Sequence, residues 1–454
     1  AETLTVTLDA DATATADVTV NDTSTAVQTL TLTGDTDILL APDADLPTGL
    51  EEADVVRTST GEDVIDGVAS SLSSARTLDV SDQIDGGDGS DTLNVEMAGN
   101  FTGFTGDGGM TNVEMVNLTN DGSISRSFDA TGVSGVEQYN LTGAVNLSDL
   151  DAVTTVAVGE RTADLTIAFA TDVTEGSDDS LALSVTDVGT ADDPDTTADE
   201  EDAVAVTVAG VETTALTAEG TNVLDLSGVE SEALTAEGSG SLKVTDVDAA
   251  TKSIDASGMM GDVSLDVTSA SDMSSIETGS ADDTVTIDAD DDLLGNAIIA
   301  GGEGSDNLIV TDANASTVQY NQSGFETLSL GTLTGTLTMS LSNTSGLETI
   351  VALGDAADDG DLDQDVTFAN AGSADLTFNL QGENSATPLI ISDHSGTSTI
   401  VVDTPASAAT TASPSDNDVA LTLTDTSSVN LSVAEKMSYS GVITAANATS
   451  VEAA

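Results

Sequence analysis

GEDVIDGVASSLSSARTLDVSDQIDGGDGSDTLNV, residues 61–95, is the stretch on which the rest of the chain is read. Its core is Gly86-Gly87-Asp88-Gly89-Ser90-Asp91-Thr92-Leu93-Asn94. Glycine admits backbone angles closed to other residues, so such a turn can aim its carbonyls at one point. The aspartate adds a hard anionic oxygen, and Leu93 points the other way, into a core. The unit returns 215 residues after Gly86, as Gly301-Gly302-Glu303-Gly304-Ser305-Asp306-Asn307-Leu308-Ile309. A half-match precedes each copy: Gly61-Glu62-Asp63-Val64-Ile65 before the first, Gly279-Ser280-Ala281-Asp282-Asp283-Thr284-Val285 before the second. Recurrence of both halves in order argues against chance.

The full unit is the nonapeptide G-G-x-G-x-D-x-U-x of calcium-binding parallel β-helices. It predicts Ca2+ at two places. Asp88 and Asp91 are the candidate ligands of the first, helped by Asp63. Asp306 is the candidate of the second, helped by Asp282 or Asp283. The carbonyls of Gly86, Gly87, Gly301 and Gly302 would complete the shells.

A second repeat runs through the chain: a small or polar residue, an apolar one, then Glu, then a short strand. It occurs at Val113-Glu114, Val136-Glu137, Val211-Glu212, Val229-Glu230, Ile276-Glu277, Phe325-Glu326 and Leu347-Glu348. Neighbouring copies lie 23 residues apart from Val113 to Val136, 18 from Val211 to Val229 and 22 from Phe325 to Leu347. Periods near twenty are those of a solenoid, in which coils that cannot bury an apolar face alone stack on one another. The recurring Glu is expected to hold a structural position at a coil corner.

Thr, Asp and Ser alternate with Val, Leu and Ile almost throughout, as in Thr3–Leu8 and Thr29–Thr33, which predicts strands. Helical patterns are confined to single turns at 69–75 and 433–437. The fold class expected is therefore all-β, a calcium-stiffened β-solenoid body with a small N-terminal β segment. Residues 1–55, ending in a linker that contains Pro42 and Pro47, carry strands without the repeats and would serve assembly or anchoring. The motif order then repeats, giving modules at 56–275 and 276–454. The acidic run from Asp192 to Asp202 and the Thr404–Pro414 stretch read as loops within those modules.

Composition narrows function. Of 454 residues, 7 are Lys or Arg and 81 are Asp or Glu, a formal charge of -74. Nucleic acid and anionic lipid would be repelled. Such acidity suits either a collector of divalent cations or a chain kept soluble in high salt. There is no cysteine, so rigidity has to come from something other than disulfides. Apolar runs are too short for membrane insertion. His394, the one histidine, lies in Ser392-Asp393-His394-Ser395-Gly396 and reads as a surface-loop residue, not a catalytic base. With no Trp and three Tyr, the aromatic platforms that accompany paired carboxylates on sugars are missing. A lyase would want basic residues beside acids, and here they are scattered singly. No enzyme is expected.

The nonapeptides, the Val-Glu repeats and segments such as Ser253-Ile254-Asp255-Ala256-Ser257-Gly258 leading to Val263-Ser264-Leu265-Asp266-Val267 resemble RTX-type bacterial surface-layer proteins and their secreted β-strand-repeat relatives. The resemblance covers about residues 56–360. It implies a calcium-stiffened β-helix, export from the cell, and assembly with further copies into a sheet or filament at the cell surface, where a surface glycan is a possible anchor. Members with a full β-roll carry nonapeptides in tandem and share ions between turns. Here single copies stand apart, so the half-matches or distant aspartates must complete each ligand set. The alternative function is an adhesin or an ice- or mineral-binding solenoid, motivated by the Thr-rich alternation. A polysaccharide-acting β-helix ranks below both.

Overall fold

Alternation of β-branched and polar residues translates directly into strands: every regular element among the described residues is a β-strand. The computed structural model describes residues 2–7, 16–17, 27–33, 38–40, 55–58, 61–72, 75–192, 201–289, 293–311, 316–331, 333, 335–352, 365–381, 388–403, 415–417, 419–434 and 437–453. The linker with Pro42 and Pro47, most of the 192–202 run and the 404–414 stretch lie outside them. Of the two expected helical turns, Ala69 instead ends the strand Val64–Ala69 and Val433 ends Ser428–Val433, while residues 73–74 and 435–436 lie outside the described residues. Among the described residues no helix is long and apolar enough to cross a membrane.

The chain divides into two compact units, Ala1–Ser231 and Glu232–Ala454. The modules 56–275 and 276–454 are a division by motif, whereas these units are a division by contact.

In the first unit, strands of one sheet pair in the order Ile38–Leu40, Val64–Ala69, Thr92–Met97, Met115–Asn120, Gln138–Gly143, Thr155–Gly159, Ser180–Thr186 and Thr213–Glu219, all parallel. A second ladder runs from Phe101–Thr102 through Arg126–Asp129, Val145–Leu150, Leu165–Phe169 and Val204–Val208 to Thr221–Val229. A third begins at Glu2–Thr7 and Val27–Thr33 and reaches Val55–Arg57, Gln83–Asp85 and Gly109–Thr111. Parallel strands cannot be joined by tight hairpins. Each ladder therefore receives its next strand only after the chain has travelled round the others, which is the solenoid expected from the repeats. The described strands of residues 1–55, which carry no repeat motif, thus join two of the ladders that the following strands continue.

Side chains of period two sort into inside and outside. Val64–Ala69 and Met115–Asn120 alternate half-buried and buried along their whole length. Parallel register then builds inward columns. Ile65, Leu93, Val116, Tyr139, Val156, Leu183 and Leu216 pair one to the next and are all buried. Phe101 stacks on Phe128 at a centroid distance of 5.0 Å beside this core.

The second unit repeats the plan. One ladder runs Ser241–Val247, Val263–Asp266, Thr284–Asp288, Asp306–Thr311, Phe325–Leu330, Thr349–Ala352, Leu376–Gln381, Thr397–Asp403 and Ser428–Val433. Its inward column is Val244, Leu265, Val285, Leu308, Leu328, Ile350, Phe378 and Ile400, again all buried.

Coil length departs from the expected twenty. Contacts between equivalent corners span 28, 23 and 33 residues in the first unit and 20 to 23 in the second. The cause is that extra residues leave the coil as insertions. The acidic run is one: an antiparallel bridge between Thr190 and Asp202 closes its base, and Val204–Val208 resumes the ladder at once.

Two polar residues sit inside the fold where their local sequence does not point. His394 is fully buried, which corrects its reading as a surface residue. Its Nε2 donates to the Ala374 carbonyl at 2.8 Å, and Ser398 Oγ lies 3.2 Å from Nδ1. Arg161 is buried. It donates to the carbonyls of Ala163, Val145 and Asp164 and to Asn146 Oδ1, and burial lowers its pKa to about 10.

Candidate metal centre

The two halves of each motif are consecutive coils. Val64 and Ile65 of the first half-match pair with Thr92 and Leu93 of the nonapeptide. Thr284 and Val285 pair with Asn307 and Leu308 in the second. The turn that leads into each strand therefore stacks on the turn before it, which brings Asp63 against Asp91 and Asp283 against Asp306.

The contact is a hydrogen bond of one kind. The backbone N–H of Asp63 donates to Asp91 Oδ1 at 2.8 Å, and that of Asp283 donates to Asp306 Oδ1 at 2.8 Å. The next coil continues it: Asp91 N–H donates to Glu114 Oε2 at 2.8 Å, and Asp306 N–H to Glu326 Oε2 at 2.9 Å. Each carboxylate reaches back to hold the main chain of the acid before it. Glu114 and Glu326 belong to the Val-Glu signature, so its expected place at a coil corner acquires a mechanism.

Glycine shapes the space beside the carboxylate. Gly87 and Gly302 turn the chain with φ of 91° and 86°. A Cβ built on Gly86 would lie 2.7 Å from Asp91 Oδ2 and overlap the Asn112 carbonyl. One on Gly301 would lie 2.7 Å from Asp306 Oδ2. Those two oxygens, Asp91 Oδ2 and Asp306 Oδ2, are buried and have no hydrogen-bond partner. Native proteins leave few buried polar atoms in that condition.

The electrostatics follow from the same crowding. Burial pushes the Asp91 carboxyl up to about 7; its hydrogen bond from Asp63 opposes this, and the charges of Asp63, Glu114 and Asp85 add to it. Burial likewise raises Asp306 to about 6, and Asp283 and Glu326 add to the rise. Asp283 is raised by burial as well, although Val263 and Gly279 donate backbone N–H bonds to it.

The remaining candidates take other places. Asp88 is exposed in the first turn. Asp282 is exposed too and accepts the Ser305 N–H at 2.9 Å. The Gly86 and Gly301 carbonyls each accept a threonine hydroxyl from the preceding coil, Thr58 in one case and Thr278, at 2.7 Å, in the other. Among the described residues no three His, Cys, Asp or Glu side chains gather in a way that could hold a metal by themselves.

One corner escaped the sequence reading. Asp179 N–H donates to Glu212 Oε2 at 2.8 Å, Glu212 N–H returns to the Asp179 carbonyl at 3.0 Å, and Asp179 Oδ2 has no partner. The signal was present: Glu175-Gly176-Ser177-Asp178-Asp179-Ser180-Leu181 echoes Glu303-Gly304-Ser305-Asp306-Asn307-Leu308 with one aspartate added.

No protein-family model, no curated protein and no solved structure matches the chain.

Proposed function

We propose that the chain is a structural, self-assembling protein of the cell surface, a calcium-dependent surface-layer or surface-filament subunit without enzymatic activity. The observation that carries the reading is the pair of buried, unpartnered oxygens, Asp91 Oδ2 and Asp306 Oδ2, each facing a space that a glycine leaves open. A hard anionic oxygen is the donor calcium takes, so the residues fit the ion as far as they go. They do not supply three acidic side chains, and backbone or water oxygens would make up the shell. Asp91 and Asp306 would hold the ion, with Asp63 and Asp283 orienting their carboxylates through Oδ1. Bound there, calcium offsets the mutual repulsion of the corner acids and stiffens the stack of coils.

Assembly meets the same problem on a larger scale. Two chains of charge -74 repel at contact distance unless cations lie between their carboxylates. An ion that binds only the folded, assembled state adds about 2.7 kcal/mol per site at a hundredfold excess over its dissociation constant. Further copies of the chain are thus the main partner, and a cell-surface glycan is the candidate anchor. Negative-stain microscopy of the purified protein in calcium and in chelator tests the reading. Ordered sheets or filaments are expected in calcium alone; dispersed particles in both conditions would overturn it.

A second reading, an adhesin or ice- or mineral-binding solenoid, is favoured by one feature. Asn94, Asn117 and Asn140 hydrogen-bond from coil to coil at 2.7 Å and continue to Asp66, a regular half-buried polar row. Binding to mineral or polysaccharide particles that Asn117→Leu abolishes would support it.

A further inference from the structure

We infer that Glu114 and Glu326, the acids of the Val-Glu signature one coil beyond each nonapeptide, are positioning residues that aim the free oxygen of Asp91 and Asp306 at the cation. The inference rests on the calcium reading of these corners. Its basis is how many constraints each aspartate carries. Asp91 Oδ1 is held by the N–H of Asp63 from the coil before, and the Asp91 N–H is held by Glu114 Oε2 from the coil after. Glu114 also donates its own N–H to the Asp91 carbonyl at 3.1 Å, so it grips the residue at two points. With backbone and Oδ1 both fixed, the direction of Oδ2 toward the Gly86 space is determined. Remove the clamp and the peptide that carries the carboxylate can rotate away. Asp306 is fixed in the same manner by Asp283 and Glu326.

The signature itself separates the role from mere strand chemistry. Glu137, Glu230 and Glu348 stand in the same local sequence but follow coils without an aspartate turn, and all three are exposed. Glu114 and Glu326 are half-buried and folded back. The side chain has to be long enough to reach the main chain of the previous coil while its own backbone continues the ladder. At positions 114 and 326 a glutamate makes that reach, whereas the nonapeptide aspartates make the equivalent reach to the coil before them with one methylene less.

Calorimetric titration of the full chain with calcium, after treatment with chelator, tests the inference in wild type, Glu114→Ala, Glu114→Gln, Glu114→Asp and the control Glu137→Ala. Melting in chelator is followed in parallel. Glu114→Ala is expected to weaken one corner at least tenfold and to leave the other unchanged, and Glu137→Ala to leave both unchanged. Glu114→Gln, which keeps the acceptor at the same reach, should stay closer to wild type than Glu114→Asp, which keeps the charge but draws the acceptor back by one methylene. Glu114→Gln and Glu114→Asp carry the comparison if the alanine variant does not fold. Unchanged affinity in Glu114→Asp, or a lower melting temperature with affinity intact, overturns the positioning role while leaving the calcium reading standing. Failure of the wild type to take up calcium overturns both.

Discussion

The N–H of Asp91 lies 2.8 Å from the carboxylate of Glu114, an acid 23 residues further along the chain that stands directly over it in the next coil. An aspartate in a glycine turn is thereby held by a signature that, in sequence, looks like a separate repeat.

Filling the glycine space should be costly. Gly301→Ala would set a Cβ 2.6 Å from the Gly324 carbonyl and 2.7 Å from Asp306 Oδ2. Overpacking of this kind costs about 1–3 kcal/mol. Urea unfolding in chelator should show that loss, and calcium should recover less stability in the variant than in wild type.

Stability without metal should fall as pH rises. Asp91 and Asp306 sit at about 7 and about 6 when folded, above the ordinary carboxylate value near 3.8. A raised folded value means that the folded state binds the proton more tightly, so protonation stabilises it. The contribution is whole below the unfolded value and is lost as pH climbs through the folded ones. In chelator, melting temperature should therefore decline between about pH 4 and pH 7 from these groups, and Asp91→Asn with Asp306→Asn should flatten the decline. A steeper fall in the double variant would contradict the assignment.

The inward columns should dominate the stability of the ladders. Leu93→Ala removes a fully buried side chain from the column between Ile65 and Val116 and should cost about 2–5 kcal/mol. Asn94→Ala, one residue on and facing outward, breaks a link of the amide row and should cost about 1 kcal/mol. Denaturant midpoints of the two variants give the comparison.

Arg161 should tolerate no substitute. Its guanidinium satisfies the Ala163, Val145 and Asp164 carbonyls at once, a fork that lysine cannot reproduce. Each buried acceptor left bare costs about 1–3 kcal/mol. Arg161→Lys and Arg161→Met are both expected to lower the melting temperature sharply, and near-wild-type melting of either would show that water can replace the fork.

Strands and their inward faces were legible because alternation is a local signal: Thr284–Asp288 needs only its own five residues to be read. The turns around Gly86 and Gly301 were legible for the same reason, since glycine spacing prescribes their backbone. What joins one coil to the next was not. The half-match at Asp63 looked like a weaker copy of the motif and is in fact the turn beneath it, a relation carried by register and not by composition. His394 looked solvent-facing because Ser395 and Gly396 surround it in sequence, whereas Ala374 and Ser398 surround it in space. Asp179 does not stand out in sequence because an added aspartate blurs the motif and its Glu212 partner lies 33 residues away across the acidic insertion.

The corner hydrogen bonds also have a direction. In the clamps made by the buried acids the main-chain donor comes first and the carboxylate that receives it arrives one coil later: Asp63 awaits Asp91, Asp91 awaits Glu114, and Asp179 awaits Glu212. A chain emerging from its N-terminus thus carries an unfinished corner at its growing front, and each addition of 20 to 33 residues seals the one behind it. A chain halted part-way through a coil leaves the last aspartate N–H unclaimed, and the corner before it is already shut. The order of synthesis is written into the polarity of the bonds.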